Sequence, residues 1–565
     1  MRVGNVERSR EGIAAGLRRD RLSRGHVADC HARPGSRQMP PSFSREHASC
    51  MTVTDQDAAR GTTTHLFRRS LTRRSHVIPP LSDSLTGRWA RVVPVTVQRH
   101  RWAPAMVIMV LAYTVLVGAW VQKSPCLHTT PGWSNGLQFR YACYSDVIPL
   151  YGDEGFNQPG MFPYQYSWRN GQGASSQQVH YTEYPVLTGV LMWANARFTQ
   201  GYRALASSLV WLPRSQDDIV FFDFCALFAA VFWLISVLCL TRMTRRRVWD
   251  GAIAALSPLV IVQAFTNYDM LAIAFATTGM FAWSRRRPAL AGALIGLGAA
   301  AKLYPVLLLI PMFALCLRAG KWKTWLAAAA TAGACWAVVN APIALVSPRG
   351  WYEFFRLSSA RSADTDSIYN IVAHFTGWGG FDDPLGAHHA PTTLNEFVAI
   401  ALTACAVAIV SIGMSAPRRP RFAQLAFLIV SAFLLVNKVW SPQYSLWLIP
   451  LAVLAVPRWK PLLAWMVIDA VQWVPRMRFY QGIPGGWPVT PLLDMIVVRD
   501  VAVVALCALV IYEIYHPERD LVRRAGDDDP AGGVLDGAPD TFTLRPSARL
   551  RVAASKTDGF GWTRS

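Results

Sequence analysis

The sequence predicts an all-α polytopic membrane protein, and three observations carry that prediction. Only 16% of the 565 residues are charged, against about 25% in an ordinary soluble domain. Hydrophobic residues reach 52% and there are 22 Trp, a composition suited to lipid as solvent. Apolar runs of helical length also alternate with short arginine clusters, the pattern left when Lys and Arg stay cytoplasmic in a chain that crosses a membrane repeatedly. That distribution argues against nucleic acid as the reason for the net charge of +21. The cations lie in residues 1–101, in the C-terminal tail and between apolar runs.

Residues 1–101 are rich in Arg, Ser, His and Pro and contain no long apolar segment. Such a stretch buries too little surface to offset its ordering entropy, so it reads as a disordered basic cytoplasmic arm. It is not a signal peptide, because no apolar run appears before Ala103. Met51 is an alternative start, which would make the residues before it an over-long reading frame.

A multi-span domain follows over 102–513. A crossing needs about 20 apolar residues, and the first candidate runs from Pro104 to Val121. It starts beside Arg99, His100 and Arg101, so it exits outside. The first outer loop covers 122–184. Pro185–Phe198 is apolar but short and ends in Asn195 and Arg197; it reads as an interfacial or re-entrant helix, with a second span as the alternative.

Arginine clusters then fix the parity. Ile219–Leu240 returns to Arg242, Arg245, Arg246 and Arg247. Residues 251–266 go out and 268–284 return to Arg285, Arg286 and Arg287. Residues 289–301 go out and 303–317 return to Arg318, Lys321 and Lys323. Trp325–Val346 leads to a second outer loop, 347–392, and Leu394–Met414 returns to Arg418, Arg419 and Arg421. Phe422–Val436 goes out, Leu446–Val456 returns to Arg458 and Lys460, residues 461–474 go out, and Pro491–Tyr512 returns. The expectation is twelve transmembrane helices with both termini cytoplasmic and a disordered cytoplasmic tail over 514–565. Short runs such as 289–301, about 20 Å of helix, are expected to line a cavity near 265–305 rather than face lipid.

The ten Cys contain no CxxC pair and no metal-ligand spacing, and no metal or cofactor is expected. Cys225, Cys239, Cys335 and Cys507 lie in apolar runs and read as small hydrophobes. Cys126 and Cys143 share the first outer loop, where a disulfide is chemically allowed.

Placed on this topology, the unusual polar residues converge on one face. Asp146, Asp153, Glu154, His180 and Glu183 fall in the first outer loop. Asn267 and Asp269 sit at one outer turn, Lys302 and Tyr304 at the next. Asn437, Lys438 and Gln443 sit at a third. Lys302 and Lys438 run against the positive-inside tendency, and a boundary cation of that kind is a functional candidate. Its natural partner is an anionic group such as a lipid phosphate; the competing reading is a snorkelling lysine that ends a helix. Asp146 is a candidate general base or a helix N-cap, with Glu183 and Glu154 as substitutes for the base. Asn267 and Asp269 are read equally as an N-cap or as binding groups. Asp364 and Asp366 read as solvated loop charges and His374 as structural. The dense loop aromatics, Tyr181 among them, serve either as a sugar-stacking surface or as an interfacial belt.

Tyr-Ser-Asp-Val-Ile-Pro-Leu-Tyr at 144–151 and Tyr-Thr-Glu-Tyr-Pro-Val-Leu-Thr-Gly at 181–189 resemble the GT-C superfamily of polyprenyl-phosphate-dependent glycosyltransferases. The chain is most similar there to glycosyltransferase family 87, which includes actinobacterial mannosyltransferases. Ser-Pro-Leu-Val-Ile-Val-Gln-Ala-Phe-Thr-Asn-Tyr-Asp at 257–269, Gly-Leu-Gly-Ala-Ala-Ala-Lys-Leu-Tyr-Pro at 296–305 and Asn-Lys-Val-Trp-Ser-Pro-Gln-Tyr at 437–444 support it. The resemblance covers about 102–513. It implies inverting transfer of a hexose, often mannose, from a polyprenyl phosphate donor to a lipid or glycan acceptor outside the cytoplasm. It places the catalytic carboxylate in the first outer loop, at Asp146, and a donor-phosphate contact at Lys302. Asn267, Asp269, Tyr304, Lys438, Gln443 and Tyr181 complete the expected substrate contacts. The competing class is a transporter or lipid flippase, which twelve broken spans would suit. Against it stand the absence of an internal repeat and the gathering of ionisable residues at one face. A structural or assembly protein with docking loops is the third reading.

Overall fold

The computed structural model describes residues 102–127, 136–169, 179–382 and 390–544; the expected N-terminal arm 1–101 lies outside them. Among the described residues the strands are Trp168–Arg169 and Val179–His180, an antiparallel pair with Trp168 opposite His180. All other regular elements are helices. Five helices are long and apolar enough to cross a membrane: Ala103–Cys126, Asp217–Met243, Trp322–Val346, Thr392–Ser415 and Thr490–Tyr515. Between them lie shorter apolar helices, Pro288–Ala301, Tyr304–Arg318, Phe422–Val436 and Pro442–Ala455.

The two sets differ in what they touch. The long helices leave wide apolar surfaces exposed, such as Val338, Leu345 and Val346 on one and Ile400 and Val407 on another. The short ones form the packed core: Phe422–Ser431 is an unbroken buried run. Exposed apolar helices with internally satisfied backbones are what a bilayer requires, so the protein is a membrane protein. The expectation of twelve spans counted shorter apolar runs as crossings and left Pro185–Phe198 out. Among the described residues five helices are of crossing length by themselves, and shorter ones form the core.

Local sequence explains the breaks. Pro258 lacks an N–H and holds Ser257 extended, which divides the run 251–266 into Gly251–Ala255 and Pro258–Gln263. Gly292 and Gly296 let Pro288–Ala301 lie against Trp322–Val346. A Cβ at Gly292 would meet the Ala328 carbonyl oxygen at 1.9 Å, and one at Gly296 the Ala332 oxygen at 2.2 Å. This is the close backbone approach that small residues four apart permit.

Three expectations are corrected. The short segment Pro185–Phe198 is part of a 23-residue helix, Val186–Ser208. Asn195 does not mark a wet end: it is fully buried and donates to Cys225 Sγ at 3.0 Å, so its polarity is spent on a neighbouring helix. The second outer loop contains the helices Pro348–Ala360 and Ile368–Thr376. Asp366 there is not solvated but buried, and it accepts hydrogen bonds from Arg476. The tail is ordered as far as Leu544: Asp520 is buried against Arg421 at 2.7 Å and Leu535 is fully buried. Its polar composition hid this, because its partners are arginines at distant helix ends. Residues 545–565 lie outside the described residues.

Candidate active site

The chain around Asp146 is fixed before its side chain is considered. Cys126 and Cys143 form a disulfide, tying the loop to the end of Ala103–Lys123. Lys123 Nζ donates to the Tyr144 carbonyl at 2.7 Å and Trp473 Nε1 to the Ala142 carbonyl at 2.6 Å. Ser145 Oγ donates to the Phe265 carbonyl at 2.7 Å, and the Asp146 N–H to that of Thr266 at 2.8 Å. The loop is therefore sewn to the turn that carries Asn267 and Asp269.

On this frame the Asp146 carboxylate is held at both oxygens. Tyr144 Oη donates to Oδ1 at 2.7 Å and Asn267 Nδ2 to Oδ2 at 2.8 Å. Asn267 also donates to Tyr184 Oη at 3.0 Å, and its own Oδ1 accepts the Tyr268 N–H. Asp146 precedes the helix Val147–Asp153, yet its side chain caps nothing; Ser145 Oγ accepts the Val147 N–H instead. The carboxylate is half-buried. Desolvation raises its pKa, and the hydrogen bonds from Tyr144 and Asn267 and the charge of Lys302 partly oppose the rise. A carboxylate raised towards the working pH, oriented and still reachable is what general-base chemistry asks for.

Lys302 ends Pro288–Ala301 in an extended conformation. Its ammonium donates to both oxygens of Asp269, at 2.8 and 2.9 Å, and sits over the Tyr444 ring, 4.6 Å from its centroid. Trp447 Nε1 donates to Asp269 Oδ1 at 2.8 Å. Trp447 is stacked between Tyr304 and Tyr444, each with its ring centroid 4.2 Å away. Burial alone would lower the Lys302 pKa, but Asp269, Tyr444 and Asp146 together more than offset it and the net shift is upward. A charged, aromatic-backed ammonium at this point can meet an anionic group as a point charge.

The remaining residues separate. Glu154 is 2% exposed, and burial together with the Glu183 charge pushes its pKa up to about 8. Glu183 is more open and lies 3.7 Å from Arg361. Tyr181 is half-buried, and the tyrosine that reaches Asn267 is Tyr184. Gln443 is buried in the turn Pro442–Trp447, next to Tyr444.

Lys438 departs from expectation most clearly. Its ammonium donates to the carbonyls of Ser359 at 3.1 Å and Arg361 at 2.5 Å, and to Asn395 Oδ1 at 2.5 Å. An ammonium has three protons, and all three are engaged. It ties the second outer loop down and has no donor left for a phosphate. Burial and the Arg361 charge lower its pKa to about 8.

An apolar crevice lined by Pro185, Val186, Ala299, Leu303, Trp336 and Phe355 reaches Tyr184. Among the described residues no three His, Cys, Asp or Glu side chains gather as metal ligands would. Sequence reasoning placed Tyr144 and Tyr184 only among the dense loop aromatics, and it missed Tyr444 and Trp447. Tyr144 stands two residues from Asp146, a spacing that lets its side chain fold back in a turn. Nothing local links Trp447 to Asp269, which lies 178 residues away.

The fold and this site define a helical membrane protein with an oriented carboxylate and a ring-backed lysine at neighbouring turns. Residues 181–442 match the model of glycosyltransferase family 87, which implies a membrane glycosyltransferase with a sugar donor and an acceptor. The matched segment contains Asn267, Asp269, Lys302 and Tyr304 and begins after Asp146. No curated protein matches the chain.

Proposed function

We propose that the protein transfers a hexose, mannose foremost, from a polyprenyl phosphate to a lipid or glycan acceptor on the extracytoplasmic side of the cell membrane, opposite the arginine clusters. The observation that carries the proposal is the Asp146 carboxylate, held at both oxygens beside Lys302 and its aromatic stack. The acceptor hydroxyl oxygen attacks the anomeric carbon from the face opposite the phosphate, and its proton passes to Asp146. The bond from the anomeric carbon to the phosphate oxygen breaks, and its electron pair leaves with the phosphate. Lys302 meets the charge that gathers there, an electrostatic contribution that counts for more in a dry site than in water.

Sugar transfer in proteoliposomes, from radiolabelled polyprenyl-phosphate mannose to extracted envelope lipids, tests the proposal. Asp146→Asn keeps the hydrogen-bonding shape and removes the base. It should lower transfer by about 100-fold or more with its melting temperature unchanged. Transfer at the wild-type rate in a folded Asp146→Asn protein would refute Asp146 as base. No transfer by the wild type would send the same vesicles to other donor sugars and to a lipid-flipping assay.

A further inference from the structure

Residues 516–544 cross the arginine-rich end of the molecule and bind one helix end after another. Asp540 accepts from Arg318 Nη2 at 2.7 Å and from Arg419 Nη1 at 2.8 Å. The Arg318 carbonyl accepts the N–H groups of Thr541 and Phe542 at 2.9 and 3.0 Å. Arg419 also donates to the carbonyls of Leu535 and Ala538, both at 2.7 Å. Asp520 holds Arg421, which donates onward to the carbonyls of Leu454 and Ala455 at the end of Leu448–Ala455. Asp529 Oδ2 accepts the Phe422 N–H at 2.8 Å, satisfying the first amide of Phe422–Val436. Gly533, at φ +62°, lies so close to Asp269–Ser284 that a Cβ would meet the Trp283 carbonyl oxygen at 1.9 Å.

The same helices carry the candidate site at their other ends. Asp269–Ser284 begins at Asp269. Tyr304–Arg318 begins at Tyr304, immediately after Lys302. Pro442–Ala455 carries Tyr444 and Trp447 in its first turns, and Phe422–Val436 leads into that turn. Each is a short, buried rod with the site at one end and the strap at the other.

We infer that the strap 516–544 is a positioning device: by fixing the far ends of these helices it holds Asp269, Lys302, Tyr304 and Trp447 in register. Packed helices transmit a displacement along their length because close-packed interiors have few alternative arrangements. The inference is independent of which reaction the site performs.

Hydrogen–deuterium exchange on the full chain in lipid nanodiscs, read by peptide mass, tests it. Asp540→Asn leaves the fully buried Arg421–Asp520 pair in place, so the protein should fold. It loosens only the hold on Arg318 and Arg419. Exchange should rise about fivefold in Tyr304–Leu308, whose helix ends at Arg318. It should stay within about twofold in Pro442–Trp447, whose helix end is held by Arg421. Adding Asp520→Asn should extend the rise to Pro442–Trp447. Asp528→Asn, which removes a partner of the exposed Arg418, should leave both turns unchanged. A rise in Asp540→Asn confined to residues near 318 and 419, or spread equally over both turns, would overturn the inference. If the double variant fails to fold, the Asp540→Asn contrast between the two turns decides the matter alone.

Discussion

Two lysine-bearing turns look alike in sequence and behave differently in the folded chain. Lys302 and Lys438 each follow an apolar helix, and each stands where the positive-inside tendency disfavours a cation. Lys302 meets the Asp269 carboxylate and stands over the rings of Tyr444 and Trp447. Lys438 meets three neutral oxygens that consume its protons, and it anchors a loop. An out-of-place charge signals that something binds it; only the partner's chemistry tells whether that partner is substrate or protein.

Neutralising each lysine without leaving a stranded charge should separate the two turns. Lys302→Met with Asp269→Asn removes the pair together, because deleting one partner of a buried ion pair would itself cost about 3–5 kcal/mol. The double variant should fold and lose about 100-fold in transfer, measured per folded molecule. Lys438→Met should do the reverse. Its loss of three partly buried hydrogen bonds costs about 2 kcal/mol and should lower the melting temperature, while transfer per folded molecule falls less than about tenfold. Equal losses of transfer in the two would erase the distinction.

A smaller effect isolates Glu154, the buried acid of the first outer loop. The folded pKa of Glu154, about 8, lies above its ordinary 4.5. The stability this confers is fully present below about pH 4.5 and is lost as pH rises through 8. The wild-type melting temperature should therefore fall by about 2 °C between pH 5 and 8.5, and Glu154→Gln should flatten that slope while transferring sugar. An unchanged slope would show that Glu154 is not the buried proton carrier.

Much of the helix pattern was legible because arginines bound the apolar runs: Phe422–Val436 was read with the bounds it has. Asp146, Asn267, Asp269 and Lys302 were legible as a group because each sits at the same end of its run. Their partners were not. Tyr144, Tyr184 and Trp447 belong to a chain with 17 Tyr and 22 Trp, so residue type alone does not select them. The ordering of 516–544 was hidden for a related reason. The rule that polar stretches stay unfolded considers a segment's own burial and not a complementary row of arginines at distant helix ends.

The central claim is that Asp146 accepts the proton during transfer, and its hydrogen bond from Tyr144 offers the most direct test. That bond lowers the Asp146 pKa against the rise caused by burial. Transfer needs the ionised form, so the rate should fall as pH drops through the Asp146 pKa. The measurement is the pH–rate profile of sugar transfer for wild type and Tyr144→Phe. The acid limb should move to higher pH by about one unit in the variant, with its shape retained. An acid limb at the same pH in both proteins would contradict Asp146 as the titrating base.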